Sequence, residues 1–125
     1  MGGDDATTRS QFLPAIAVDP LTGNVGLSWL DARNSTDNTG VQLFSTVSLD
    51  HGATVQPNVQ VSAGLSHQSG ADPNTNDMDF GDNNSLSFLS GKLTVVWSDN
   101  TNSTGDNPGG IGKSLDVYTD TINVT

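Results

Sequence analysis

The sequence contains no cysteine, which excludes a disulfide framework, a thiolate nucleophile and a zinc–thiolate site. It contains no glutamate either, because all 14 acidic residues are aspartate. Glutamate favours helices, whereas aspartate favours turns, backbone capping and calcium ligation. An acidic set made only of aspartate is therefore typical of a turn-rich β protein with candidate calcium sites.

Positive charge is also scarce, since four lysines and arginines stand against the 14 aspartates and give a net charge of −10. Without a basic patch the chain cannot neutralise phosphate groups, so we expect no nucleic acid partner and no membrane insertion. No long apolar run occurs at helical spacing. Hydrophobic residues make up 33% of the 125 positions, which suits one modest core and not large catalytic machinery.

Short runs of alternating apolar and polar residues fill the chain, and turns rich in Pro, Gly and Asn separate them. This pattern predicts β-strands. Two of these runs end in Trp-x-Asp, at Trp29 to Asp31 and at Trp97 to Asp99, and each is followed by an Asn-Ser-Thr loop, which indicates an internal repeat. Strands are expected at residues 12–18, 25–31, 41–47, 59–61, 85–89, 92–99 and 116–124.

A tight turn is predicted between the third and fourth of these strands, with the spacing Ser48-x-Asp50-x-Gly52-x-Thr54. Gly52 is free to adopt a positive φ. We expect Asp50 to accept hydrogen bonds from backbone N–H groups one or two residues on, and the hydroxyls of Ser48 and Thr54 to close the loop from its flanks.

The turn spacing, the two Trp-x-Asp strand ends, Phe80-Gly81-Asp82 and the apolar run 12–19 together resemble the sialidase-like β-propeller family, with its bacterial neuraminidase repeat or Asp-box. The resemblance implies an all-β fold of antiparallel four-stranded blades, about one and three-quarter of them in this chain. Other copies or missing sequence would complete a ring or fibre. The expected parts are a polar arm at 1–10, a first blade with the Asp-box hairpin at 11–62, an Asp/Asn-rich loop at 63–84 and a second, incomplete blade at 85–125.

We do not expect this chain to be an enzyme. The resemblance implies that a sialidase uses a triad of arginines, a tyrosine nucleophile assisted by glutamate, and an aspartate acid/base. This chain has only Arg9 and Arg33 as arginines and has no glutamate. The alternative is a fragment of a glycan-processing, sialidase-type hydrolase whose catalytic residues lie mostly elsewhere in the parent protein.

Residues of three kinds are candidates for a site. Asp31, Arg33 and Asp99 lie at strand ends, where they predict either a ligand groove or salt bridges and turn caps. The neighbouring tryptophans predict core packing or stacking on sugar rings, and the two histidines predict surface residues. Oxygen-bearing side chains crowd the Asp/Asn-rich loop and predict a calcium site or a solvated polar loop. The calcium candidates are Asp72, Asn74, Asn76, Asp77, Asp79 and Asp82.

The leading hypothesis is a non-catalytic extracellular module for assembly or adhesion, with a glycan or a protein as its ligand. The first residues lack the charged and apolar regions of a signal peptide, and we expect Met1 to begin a fragment of a longer protein that is secreted or displayed on the cell surface. Fewer than two blades leave strand edges unpaired, which predicts a homo-oligomer or a fibre. A third hypothesis is a structural filament subunit, which predicts polymer growth without saturable glycan binding.

Overall fold

The computed structural model describes residues 8–67, 80, 84–106 and 115–124, and all regular structure in these residues is β. Every strand pairing is antiparallel. The predicted all-β, antiparallel class is therefore confirmed. The strands are β1 Gln11–Val18, β2 Val25–Asp31, β3 Gly40–Ser48, β4 Val59–Gln60, β5 Ser66–His67, β6 Ser85–Leu89, β7 Lys92–Asp99 and β8 Asp116–Asn123.

The strands form two separate sheets. The first sheet has the order β1-β2-β3-β4, and β5 pairs with the start of β3; the second has the order β6-β7-β8. A β-bulge interrupts the pairing of β1 and β2 between Phe12 and Ala15, where Leu13 has a φ of 52°. In the described part of the chain the two sheets are not closed into a ring, so the arrangement as propeller blades stays a prediction.

The two sheets repeat the same cross-strand arrangement. Trp29 on β2 is paired with Phe44 on β3, and Trp97 on β7 is paired with Tyr118 on β8. In both pairs the aromatic rings are in contact, with centroids 6.4 Å and 5.8 Å apart respectively. The internal repeat seen in the sequence is thus also a repeat of strand register.

Because side chains alternate along a strand, each sheet has two faces. We name the face of each sheet that carries a tryptophan after that tryptophan. The Trp29 face of the first sheet carries Ile16, Val18, Val25, Leu27, Trp29 and Phe44. The Trp97 face of the second sheet carries Leu86, Phe88, Leu93, Val95, Trp97 and Tyr118.

The core lies between the Trp97 face and the side of the first sheet opposite to Trp29. Its buried members are Leu30, Ala32, Val41 and Leu43 from the first sheet with Val95 and Trp97 from the second. The sheets approach closely at Gly26, where an added Cβ would clash with Cδ1 of Leu93. Any larger residue there would force the side chains of Leu93 and Phe88 to shift.

Asp19 links the two sheets at one end. Its side chain is fully buried in the turn after β1, where Oδ1 accepts the Leu21 N–H at 3.0 Å. Oδ2 accepts the N–H of Gly91, in the β6–β7 turn, at 2.8 Å. Burial raises the pKa of Asp19, but hydrogen bonds from Gly91, Leu21, Ser90 and Thr22 outweigh it and lower the pKa to about 2.

Candidate functional site

The predicted turn at residues 48–54 is held by its own side chains. The Ser48 hydroxyl donates to Oδ1 of Asp50 at 2.7 Å and accepts the Gly52 N–H at 2.8 Å. The Thr54 hydroxyl donates to Oδ2 of Asp50 at 2.6 Å. Both hydroxyls therefore make the expected contacts across the loop.

One detail of this turn differs from the expectation. Asp50 accepts the N–H of Thr54, four residues on, at 2.8 Å, and not that of a residue one or two positions on. The reason is that both His51 and Gly52 have positive φ, at 60° and 94°, which curls the chain until the Thr54 N–H faces the carboxylate. The Thr54 hydroxyl and N–H, together with the Ser48 hydroxyl, lower the pKa of Asp50 to about 2. These polar groups are committed to the turn itself.

Asp31 is fully buried, although the sequence placed it at a strand end. Its Oδ2 accepts the indole N–H of Trp29 at 2.8 Å and a guanidinium N–H of Arg33 at 2.6 Å. Its Oδ1 accepts the Arg33 backbone N–H at 2.8 Å. The guanidinium carbon of Arg33 also lies 4.1 Å from the centre of the Phe44 ring. Asp31 and Arg33 are thus brought together as an ion pair and turn cap.

Asp99 repeats this arrangement in the second sheet. It is 1% exposed, and its Oδ2 accepts the indole N–H of Trp97 at 3.0 Å. Its Oδ1 accepts the backbone N–H of Thr101 at 2.7 Å, which is the same turn cap that Arg33 makes in the first sheet. Both tryptophans are buried, which favours core packing over sugar stacking for Trp29 and Trp97. A ligand groove formed by Asp31, Arg33 and Asp99 stays a prediction.

A pocket of about 430 Å³ opens at the starts of β1 and β3. The apolar residues of its lining belong to the hydrophobic core or pack against it, and the polar residues come from loops and from β5. Sequence reasoning missed this pocket, because its residues are scattered over 71 positions and share no motif. The lining residues are Ser10, Phe12, Ala32, Asn38, Thr39, Val41, His67 and Phe80.

The six calcium candidates, Asp72, Asn74, Asn76, Asp77, Asp79 and Asp82, lie outside the described residues. Within the part of the chain that the structure describes, no three acidic or histidine side chains are grouped so that they could hold a metal ion. Among those same residues, no helix is long and apolar enough to cross a membrane. Calcium binding stays a prediction from the sequence.

Comparison of the chain with protein-family models, with curated proteins and with solved structures gave no match. The described residues form an antiparallel all-β fold with two packed sheets. The sialidase-like resemblance remains an interpretation of the sequence motifs.

Proposed function

We propose that this chain is a non-catalytic, extracellular assembly module of the sialidase-like propeller type, which associates with a second copy of itself through the Trp29 face. The observation that carries this proposal is a difference in exposure at equivalent positions. Val18 pairs with Val25, four residues before Trp29, and Phe88 pairs with Leu93, four residues before Trp97. Val18 is 56% exposed, whereas Phe88 is 4% exposed.

The difference in exposure arises because the first sheet covers the Trp97 face, whereas no described residue of the chain covers the part of the Trp29 face that carries Ile16 and Val18. Ile16, which also lies on the Trp29 face, is 66% exposed. Exposed apolar side chains that cluster on one sheet face are typical of an interaction surface. Burial of both side chains at an interface would remove apolar area from water and favour association.

The direct test is the native mass by light scattering over a range of protein concentrations. We expect a mass above that of the monomer, and we expect Ile16→Lys with Val18→Lys to reduce it to the monomer. The matched control is Leu89→Lys with Val117→Lys, which makes the same charge change at two exposed apolar positions on the outer face of the second sheet. The control should assemble like the parent chain.

The outcomes separate the hypotheses. A discrete multiple indicates a closed assembly, and a species that keeps growing indicates a filament. A monomer at every concentration would overturn the proposal. Repetition with a chelator tests the calcium prediction, because loss of a calcium-dependent assembly would lower the mass.

The non-catalytic part of the proposal has its own test. The purified chain should not turn over a fluorogenic sialoside. Turnover that Asp31→Asn abolishes while the folded structure persists would overturn it and favour the hydrolase hypothesis.

A further inference from the structure

The pocket at the starts of β1 and β3 is large enough for a small molecule. Its volume of about 430 Å³ lies within the range that ligand pockets occupy. Phe12 and Phe80 lie side by side in its lining, with ring centroids 5.3 Å apart and planes tilted by 57°. Ala32 and Val41 also line the pocket but are buried in the core, so the half-buried rings of Phe12 and Phe80 form the apolar floor onto which the C–H face of a ring-shaped ligand can pack.

The rim of the pocket is fixed by hydrogen bonds between a loop and Ser10, the residue before β1. Asn38 has a φ of 61°, in the left-handed region, and its side chain makes two bonds to Ser10. Its Oδ1 accepts the Ser10 N–H at 2.9 Å, and its amide N–H donates to the Ser10 hydroxyl oxygen at 3.0 Å. This geometry leaves the second amide hydrogen of Asn38 and the hydroxyl hydrogen of Ser10 for a ligand. The asparagine is held by two hydrogen bonds and is therefore a preorganised donor.

His67 is held on the other side of the rim. Asn100 clamps its backbone, because the His67 N–H donates to Oδ1 of Asn100 at 3.1 Å and the Asn100 amide donates to the His67 carbonyl at 2.7 Å. The imidazole lies against Gly40, where an added Cβ would be 2.7 Å from its Cε1. The exposed ring therefore has a defined place beside the pocket, with nitrogens that can donate or accept a hydrogen bond.

The lining residues that the structure describes include no aspartate, lysine or arginine. An anionic ligand would find no lysine or arginine among these described residues and would meet a chain with a net charge of −10. A cationic ligand would find no carboxylate among these residues. An uncharged ligand that combines an apolar ring face with several hydroxyl groups matches both the floor and the rim.

We propose that this pocket binds one ring of a neutral saccharide, with the ring face on Phe12 and Phe80 and its hydroxyls bonded to Ser10, Asn38 and His67. The ligand class differs from the acidic sugar that the sialidase resemblance implies. The pocket lies at the start of β1, whereas the proposed association surface includes Ile16 and Val18 at its end. Binding is therefore independent of the proposed assembly.

The test is an NMR titration that follows the ring C–H resonances of the two histidines. The probes are the methyl glycosides of glucose, galactose and N-acetylglucosamine, with free N-acetylneuraminic acid as the charged comparison. We expect at least one neutral glycoside to shift the His67 resonances in a saturable way and to leave those of His51 unchanged. We expect N-acetylneuraminic acid to have no such effect.

Asn38→Asp keeps the shape of the residue, tolerates the positive φ and replaces the amide donor by a carboxylate. We expect it to weaken binding about tenfold, because one hydrogen bond is lost. Asn123→Asp adds the same charge at an exposed position on β8 and should bind like the parent chain. Any of three results would overturn the proposal. No neutral glycoside shifts the His67 resonances, only N-acetylneuraminic acid shifts them, or Asn38→Asp binds as well as the parent chain.

The Ile16→Lys, Val18→Lys variant separates this result from the proposed assembly. The monomeric variant should still bind the glycoside. If neither the parent chain nor this variant binds the glycoside, the pocket proposal is overturned and the assembly proposal is unaffected.

Discussion

The two sheets carry the same tryptophan-centred face, and the two faces differ in what covers them. On the Trp97 face, Leu93 and Val95 are fully buried against the first sheet. The equivalent residues on the Trp29 face, Val25 and Leu27, are only half-buried. One strand pattern thus gives a core in one place and an accessible apolar surface in the other, because burial depends on the neighbouring layer as well as on the pattern.

The first sheet covers part of its own Trp29 face. Arg33 lies over Phe44, which stacks with Trp29, and the same guanidinium bonds to the Asp31 carboxylate that holds the indole. In the second sheet, Thr101 takes the turn-cap position and the first sheet supplies the cover. The long arginine side chain therefore covers part of the Trp29 face, whereas the first sheet covers the Trp97 face.

The largest predicted difference comes from truncation at the equivalent positions 18 and 88. Phe88→Ala removes a buried ring from the contact between the sheets and should lower the free energy of unfolding by about 3–5 kcal/mol. Val18→Ala acts on an exposed side chain and should change it by less than about 0.5 kcal/mol in a monomeric sample. Urea unfolding of dilute protein measures both values, and equal losses would contradict the distinction between the faces.

A smaller difference is predicted at Gly26 and its equivalent in the second sheet, Thr94. Gly26→Ala places a Cβ against Leu93 and Phe88, and we expect the repacking to cost about 1–3 kcal/mol. Thr94→Ala, on the outer face, should cost less than about 1 kcal/mol, since it removes only an exposed contact to Thr121. Thermal unfolding tests the pair. A Gly26→Ala protein as stable as the parent would show that the sheets do not approach closely at this point.

The acid response should distinguish the link between the sheets from the local turn. The pKa values of Asp19 and Asp50 are about 2 in the folded chain, below the usual value of 3.8. Between about pH 2 and pH 4 the unfolded chain therefore binds more protons than the folded chain. The contribution of these two groups to the free energy of unfolding is fully present above about pH 4 and is lost as the pH falls through about 2. Asp19→Asn and Asp50→Asn should each flatten this fall, as measured by urea midpoints from pH 6 to pH 2.

The two variants differ in what else they change. Asp19→Asn should also weaken the contact between the turns that follow β1 and β6, seen as faster amide exchange at Gly91. Asp50→Asn should leave Gly91 protected. Faster exchange at Gly91 in both variants would show that the Asp19 link is not separate from the Asp50 turn.

The sequence predicted the strands well because their alternation and turn residues are local. The strands at 25–31, 85–89 and 92–99 begin and end where the pattern placed them, and the others differ by one or two residues. The short β5 was missed, because Ser66 and His67 form a strand only by pairing with β3. The pattern also placed Trp29 and Asp31 on one face, yet it did not show that the indole needs a buried acceptor.

The candidate pocket and the Asp19 link were beyond local reasoning. Asp19 and Gly91 are 72 positions apart, and nothing in either turn indicates the other. The Ser10 to Asn38 bonds and the clamp of Asn100 on His67 likewise depend on how the loops come together in space. Such contacts are set by the packing of the sheets.

The most direct test of an open Trp29 face is the accessibility of methyl groups to a soluble paramagnetic probe at increasing protein concentration. Ile16 lies on this face, and Ile122 lies on the second sheet, paired with Leu93. The Ile16 methyl signal should become protected as concentration rises, while that of Ile122 should stay constant. An Ile16 methyl that remains equally accessible at every concentration, or an Ile122 methyl that becomes protected to the same extent, would contradict association through the Trp29 face.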